Sequence, residues 1–372
     1  MNEYFRWWYQ WFRDTVLVIP GRVIAFIFFA FLFLVPLVTT HPTLLRILIL
    51  AAIFAIYAAS WDVLAGFTGQ LNLGHALFFG VGAYTAGLLN LHFDLPPWVT
   101  IPLAGACAVV VGMIAGMPAL RLRGFYLALV TLAFPIILTG VIFAFPDFSG
   151  GELGLYGISH LSDCRTSDYY IIVLIMVCSV VVMYKFTDAR SRSIRTGVML
   201  HAVREDEIAA RASGVDTTRY KILAFAVSGF FGGIAGGIYA HFMRVVGPST
   251  LDIFFSFQAI IWTVFGGIAT IYGPVAGVYI LYPLTELLGT DAFGQQIRFA
   301  VLALLMIFIL LFMPDGIAVW IRDKIEVKCP RCKLVNVATR QYCRACRAPL
   351  YLEKTKSTGK KEEGENETEI HL

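Results

Sequence analysis

The chain has 372 residues, 58% of them hydrophobic and only 15% charged, with 30 Phe, 33 Gly and a net charge of +4. A mean hydropathy of +0.74 excludes a soluble globule. The small positive excess sits mostly beside apolar segments and gives no footing for a nucleic-acid partner.

Apolar runs of about 18 residues or more read as spanning helices, because roughly 20 residues cross the hydrocarbon core. Such runs recur from 22 to 320, so the fold class is an all-α polytopic membrane protein with about 10 transmembrane or re-entrant helices. The first residues, "MNEYFRWWYQWFRD", are aromatic and mixed in charge, with no small-residue cleavage site after the first apolar run. Residues 1–21 therefore read as an interfacial anchor, since Trp and Tyr favour the headgroup zone.

In chain order the predicted spans are 22–40, 44–66, 75–91, 98–119, 125–145, 169–186, 222–243, 253–270, 275–289 and 297–314. Segment 66–74 and the boundary at Tyr272-Gly273-Pro274 read alternatively as breaks within longer or re-entrant helices. Arg6, Arg13 and Arg22 place the N-terminus in the cytoplasm, and the loop holding Arg121 and Arg123 falls on the same side. The loop at 92–97 has no Lys or Arg, and 146–168 has Arg165 alone against four acidic residues, so both fall outside. Ten spans return the C-terminus to the cytoplasm.

From the end of the second span into the third, Gly69, Gly74 and Gly80 surround the polar Gln70, Asn72 and His75. Irregular backbone at membrane depth survives only where protein or water satisfies it, and half-helix ends there can face a substrate carboxylate. These six residues are candidates for a translocation path; for His75 a buried histidine bonded to a carbonyl is the equal alternative. Asp62 and Glu286 fall near span ends, where a side chain reaches the interface, and Arg244 and Arg298 read as boundary residues.

The loop 187–221 is unlike the rest of the chain: Arg204, Glu205, Asp206, Glu207 and Arg211 crowd into about two helical turns. Read as one helix over 203–213, it sets Glu207 four residues before Arg211, the favourable order for an ion pair. The acidic residues sit near its N-terminus, where the macrodipole favours them, and Gly214 is placed to end it. Ile208, Ala209 and Ala212 form a small apolar face that suits docking into a partner's groove; a solvated connector is the alternative. In the next span, Ser228, Gly229, Gly232, Gly233, Gly236 and Gly237 form overlapping small-residue rows, which let another helix approach closely.

Past residue 327 the composition changes. Residues 328–350 hold Cys329, Cys332, Cys343 and Cys346 in two CxxC knuckles, a set of four thiolates suited to a tetrahedral ion, with zinc the usual tenant. Arg331, Arg340, Arg344 and Arg347 offer contacts to anionic headgroups or a partner. Residues 353–372 lack an apolar core and read as a disordered charged tail. No GxxxxGK[ST] phosphate loop and no HExxH or Ser/His/Asp pattern occurs, so the chain has no ATP site of that type and no catalytic set.

Several segments together resemble a known family. "REDEIAARASGVDTTRYKILAFAVSGFFGGIAGGIYA", "GFTGQLNLGHALFFGVGAYTAGLL" (66–89), "LRLRGFYLALVTLAF" (120–134), "GGIATIYGPVAGVYIL" (266–281) and "FMPDGI" (312–317) are similar, in the same order, to LivM-type permeases of branched-chain amino acid ABC transporters. The resemblance implies a permease domain over 22–320. It also implies a cytoplasmic coupling loop in which Arg204, Glu205, Asp206, Glu207, Ala209, Ala210, Arg211 and Gly214 receive the motion of an ATPase. The implied partners are a second homologous permease subunit, two ABC ATPase subunits that hold the ATP, an extracytoplasmic amino-acid-binding protein and the lipid bilayer. The implied location is the plasma (inner) membrane of a prokaryote. The chain departs from the general importer signature, with Glu207 one place early before Ala209-Ala210 and no later Leu-Pro; the cysteine module is outside the usual pattern. A urea or short-amide permease of the same family, and a stand-alone secondary transporter or channel, are the alternative readings.

Overall fold

The structure is a computed structural model that describes residues 20–39, 41–119, 122, 124–162, 164–188, 195–288, 303–304, 307, 311–313, 315–332, 335–337, 342–343 and 346–350. The N-terminal anchor, most of the tenth expected span and the charged tail lie outside the described residues. What is described is mostly helical. In order come α1 (Pro20–Val38), α2 (Pro42–Thr68), α3 (Ala76–Phe93), α4 (Pro97–Ala119), α5 (Phe125–Ala144) and the short α6 (Pro146–Ser149). Then follow α7 (Arg165–Thr187), α8 (Thr196–Glu205), α9 (Glu207–Ala212), α10 (Thr217–Met243), α11 (Ile253–Gly266), α12 (Tyr272–Leu288) and α13 (Ile317–Ile325). The first nine expected spans each overlap one of these helices. Six of them, α2, α3, α4, α5, α7 and α10, are long and apolar enough to cross a membrane.

The core is built around α2. Its most apolar window is 94% buried, against 28% for α5, so α2 is an inner post and α5 a peripheral helix. Pro42 opens α2 at a position where its missing N–H costs nothing. Gly69 closes it in the left-handed region at φ 70°, its N–H bonded to the Ala65 carbonyl. Ala51, Ala52, Ala55, Ala58 and Ala59 are all fully buried, and such small side chains let α7, α10 and α12 lie close against it. Around Phe54 gather the rings of Phe79, Tyr239, Phe255, Trp262 and Tyr282, with centroids 5.1–6.3 Å from it.

Backbone contact governs how α10 packs. Asp216 caps its N-terminus, accepting from the Arg219 N–H at 3.1 Å. A Cβ on Gly236 would collide with the Phe79 carbonyl of α3, and one on Gly233 would lie 2.9 Å from the Ala104 carbonyl of α4. Gly229, Gly232 and Gly237 likewise face Phe78, Phe78 with Ser60, and Ala104. Ser228 donates to the Ser60 carbonyl at 2.7 Å. At the far end of α10, β2 (Val245–Val246) pairs antiparallel with β1 (Leu155–Tyr156), Leu155 opposite Val246 and Tyr156 opposite Val245.

α11 and α12 are each shorter than a crossing takes, about 21 and 25 Å at 1.5 Å per residue. The chain turns between them at 267–271. The expected boundary at Tyr272-Gly273-Pro274 is instead the first turn of α12, where proline is tolerated.

Residues 323–372 belong to a second compact unit. In it β3 (Glu326–Lys328) pairs antiparallel with β4 (Val335–Val337), Val327 opposite Asn336, and Tyr342 bridges to Pro349. Cys329, Cys343 and Leu350 form its small buried cluster.

Candidate functional site

The charged loop is two helices. Asp206 takes an extended conformation at φ −154°, closing α8 and opening α9. Its Oδ1 accepts from the N–H groups of Ile208 at 2.8 Å and Ala209 at 3.0 Å, the geometry of an N-cap. The single helix expected over 203–213 is therefore broken, because an aspartate at this place binds the orphan N–H groups of a new helix more strongly than it supports an interior turn. Glu205 then ends α8 instead of joining an acidic first turn.

Glu207 ties α9 down. Its Oε1 pairs with Arg211 at 2.9 Å and its Oε2 with Lys221 of α10 at 2.7 Å. Gly214, at φ 84°, receives the end of α9, and the Val215 N–H bonds back to the Ala210 carbonyl at 3.1 Å. Ala210 faces inward. Ile208, 69% exposed, and the exposed Ala209, Ala212 and Arg211 face out. α9 is thus anchored on one side and bare on the other.

α8 seats on the last turn of α2. The rings of His201 and Phe67 meet edge-on at 5.4 Å, and a Cβ on Gly69 would sit 3.8 Å from Arg204 Cγ. Burial lowers the His201 pKa below its ordinary value, and Arg204 beside it acts in the same direction.

The non-helical stretch 69–75 is satisfied mostly from within. Trp61 Nε1 donates to the Asn72 carbonyl at 2.8 Å, and the Leu73 N–H donates to Thr131 Oγ1 at 3.1 Å. The Gly74 N–H bonds Asn72 Oδ1 at 2.9 Å. His75 Nε2 meets Ser60 Oγ at 2.9 Å, and its ring packs 4.8 Å from that of Tyr57. Gly74 leaves room for the Thr131 carbonyl and Gly80 for the Leu251 side chain. Two groups are left over: Gln70 is buried and neither amide atom finds a hydrogen-bond partner among the described residues, and His75 Nδ1 is likewise buried and unpartnered.

Asp62 lies elsewhere than at an interface. It is fully buried in α2. Its Oδ1 accepts from the Ala269 N–H at 2.7 Å and its Oδ2 from the Thr270 N–H at 3.0 Å. Its partners lie more than two hundred residues away, so only its position inside an apolar run marked it, as an in-span carboxylate does by default.

In the second unit the four sulfurs converge. All lie within 4.8 Å of one another, with Cys329–Cys346 and Cys332–Cys343 each at 3.5 Å. Those separations are too long for disulfides. They suit a tetrahedral ion, for which a metal–sulfur bond of about 2.3 Å sets sulfur edges near 3.8 Å. Backbone N–H groups of the first knuckle, led by that of Cys332, lower the Cys329 pKa. Asn336 Nδ2 also donates to Cys343 Sγ at 3.5 Å, an outer bond of the kind that orients a ligand. The donor set fits a bound metal ion.

Comparison with known proteins decides what the membrane unit is. Residues 43–311 match the family model of the branched-chain amino acid transport system / permease component. The chain belongs to that family. It is 29% identical over 305 residues to the high-affinity branched-chain amino acid transport system permease protein LivM of Salmonella typhimurium, covering 76% of this chain and 71% of that protein. The LivM of Escherichia coli is 29% identical over 303 residues, covering 75% and 71%. The permease protein BraD of Pseudomonas aeruginosa is 25% identical over 284 residues, covering 71% and 91%. No solved structure gives a significant match. The family match covers α2 to α12 and stops short of the cysteine module, so this family member carries a metal-type cluster outside the matched region. It is a multi-pass membrane protein.

Proposed function

We propose that this chain is the transmembrane permease subunit of an ATP-driven importer for branched-chain amino acids. It has no catalytic role of its own: ATP is bound and hydrolysed by two partner ATPase subunits. A second homologous permease subunit completes the membrane body, and an extracytoplasmic binding protein delivers the amino acid. The observation that carries this reading is the family match over 43–311. The bare face of α9 supports it, because a short helix tied to the body by Glu207 and exposing Ile208, Ala209 and Ala212 is suited to fill a groove on a moving partner. The basic loop that holds α8 and α9 puts this side in the cytoplasm, with both termini.

Closure of the ATPases on nucleotide pushes α8 and α9, and the membrane helices swing the cavity from outward to inward facing. Among the residues expected along the path, Gln70 and His75 both keep buried polar atoms with spare bonding capacity, and we assign Gln70, whose two amide atoms are both unsatisfied, to the path. Gly80 serves packing, and His75 is held by Ser60 through Nε2 alone. The cysteine module holds zinc, which orders its two knuckles.

The test is leucine uptake by proteoliposomes containing the complete complex. Glu207→Lys puts a cation beside Lys221 and Arg211, so uptake is expected to fall at least about tenfold while the subunits still co-purify. Unchanged uptake would contradict the role given to α9.

A further inference from the structure

The turn between α11 and α12 hangs on one side chain. Backbone that leaves helical form at membrane depth must find its hydrogen bonds in protein or water. The N–H groups of Ala269 and Thr270 find theirs on the two oxygens of Asp62, at 2.7 and 3.0 Å. A carboxylate acceptor makes such bonds roughly twice as strong as a neutral one. Ala269 adopts φ 60°, a conformation that a non-glycine residue keeps only when its surroundings fix it. Gly66, one turn further along α2, makes the approach possible: a Cβ there would collide with the Asp62 carboxylate and lie 2.8 Å from the Ala269 nitrogen. Thr270 Oγ1 closes the turn on the Gly267 carbonyl at 2.7 Å. Gly316 and Val319 pack against Gly267 from the other side.

The same end of α2 carries α8. Phe67 meets His201, and Gly69 abuts Arg204. From the lever to the hairpin the sequence of contacts is therefore α9, α8, the last turn of α2, Asp62, and the 267–271 turn. Beyond that turn stand Phe255 and Trp262 of α11 and Tyr282 of α12, all packed on Phe54.

We propose that Asp62 is the strut through which displacement of α8–α9 reaches the tip of the α11–α12 hairpin. It is a positioning residue for coupling, and it makes no contact with the transported molecule. The inference rests on the reading of this chain as an ATPase-driven permease. A push on α8 moves Phe67 to Gly69; Asp62 moves with them and carries Ala269 and Thr270. Asp62→Asn keeps the shape but replaces one acceptor oxygen with an amide that faces an N–H group.

The experiment uses complete complexes in proteoliposomes, measuring leucine uptake and ATP hydrolysis together. For Asp62→Asn the expected result is hydrolysis within about twofold of the parent and uptake lower by about tenfold or more. Gly66→Ala, which keeps the Asp62 side chain but wedges a methyl group between its carboxylate and the Ala269 nitrogen, gives the same split and serves if the first variant fails to assemble. A second measurement follows cysteines placed at Ile208 on α9 and at Ile268 in the turn, both exposed. Maleimide labelling is read at each peptide by mass spectrometry, with and without ATP and vanadate. In the parent both sites change their labelling rate on nucleotide trapping. In Asp62→Asn the Ile208 site still responds and the Ile268 site does not. Uptake and hydrolysis that fall together, uptake that stays at the parent level, or an Ile268 response that survives Asp62→Asn would each overturn the strut. A parent complex that accumulates no amino acid overturns the permease reading and the strut with it.

Discussion

At His201 a single ring reports on the seat of the lever. Its pKa is lowered by burial first and by Arg204 second, so the docked form binds fewer protons than the undocked one. The contribution of His201 to the docking of α8 is therefore full above the ordinary histidine pKa of about 6.5 and declines as the pH falls through the lowered value. Hydrogen exchange over 197–205, corrected for the intrinsic rate, is expected to show weaker protection at about pH 5.5 than at about pH 7.5. His201→Phe, which keeps the ring contact with Phe67 and cannot titrate, is expected to hold its protection at both. Equal protection of the parent at both values would remove His201 from the seat. Neither His201 nor Asp62 could be placed from sequence, and for the same reason. An apolar run says that a residue lies in a helix, but the carboxylate of Asp62 is explained only by N–H groups that fold back from residues 269 and 270. The ion pair of Glu207 with Arg211 was readable because both lie on one helix four residues apart. Its second bond, to Lys221 across a turn, was not.

Periodicity and length made the long helices legible, since a run that must cross lipid has few other forms open to it. What the pattern missed is where a polar side chain competes with the helix. Asp206 splits the charged loop into α8 and α9 by capping, and an aspartate inside a charged, alanine-rich string gives no sign of which role it takes. The turn at 267–271 was misplaced for a related reason: Pro274 looks like a breaker, yet it sits in the first turn of α12, where no N–H is needed. The cysteine module was legible as a donor set from its two CxxC pairs, and its sulfurs do converge. With zinc bound, its order comes from the metal, because so small a cluster of buried residues holds little core. Purified full-length protein is expected to carry about one zinc per chain, and Cys343→Ser to lose it. With the metal stripped by a chelator, protease is expected to cut between 328 and 350 while the membrane unit survives. Four freely titrating thiols in the untreated protein, with no metal present, would contradict the assignment.

For the molecule as a whole, α2 is both the most buried post and the piece that joins two working parts: α8 seats on its last turn and Asp62 holds the α11–α12 turn. The membrane body therefore has a route by which force can enter, but no nucleotide-binding motif appears in its sequence. The proposed function has it draw its free energy from partner ATPases. The most direct measurement compares amino-acid accumulation in proteoliposomes holding this chain alone with that in proteoliposomes holding the complete complex, each with and without ATP. Accumulation only in the complete complex and only with ATP is the expected result. Accumulation by the single chain without nucleotide, driven by an ion gradient, would contradict it.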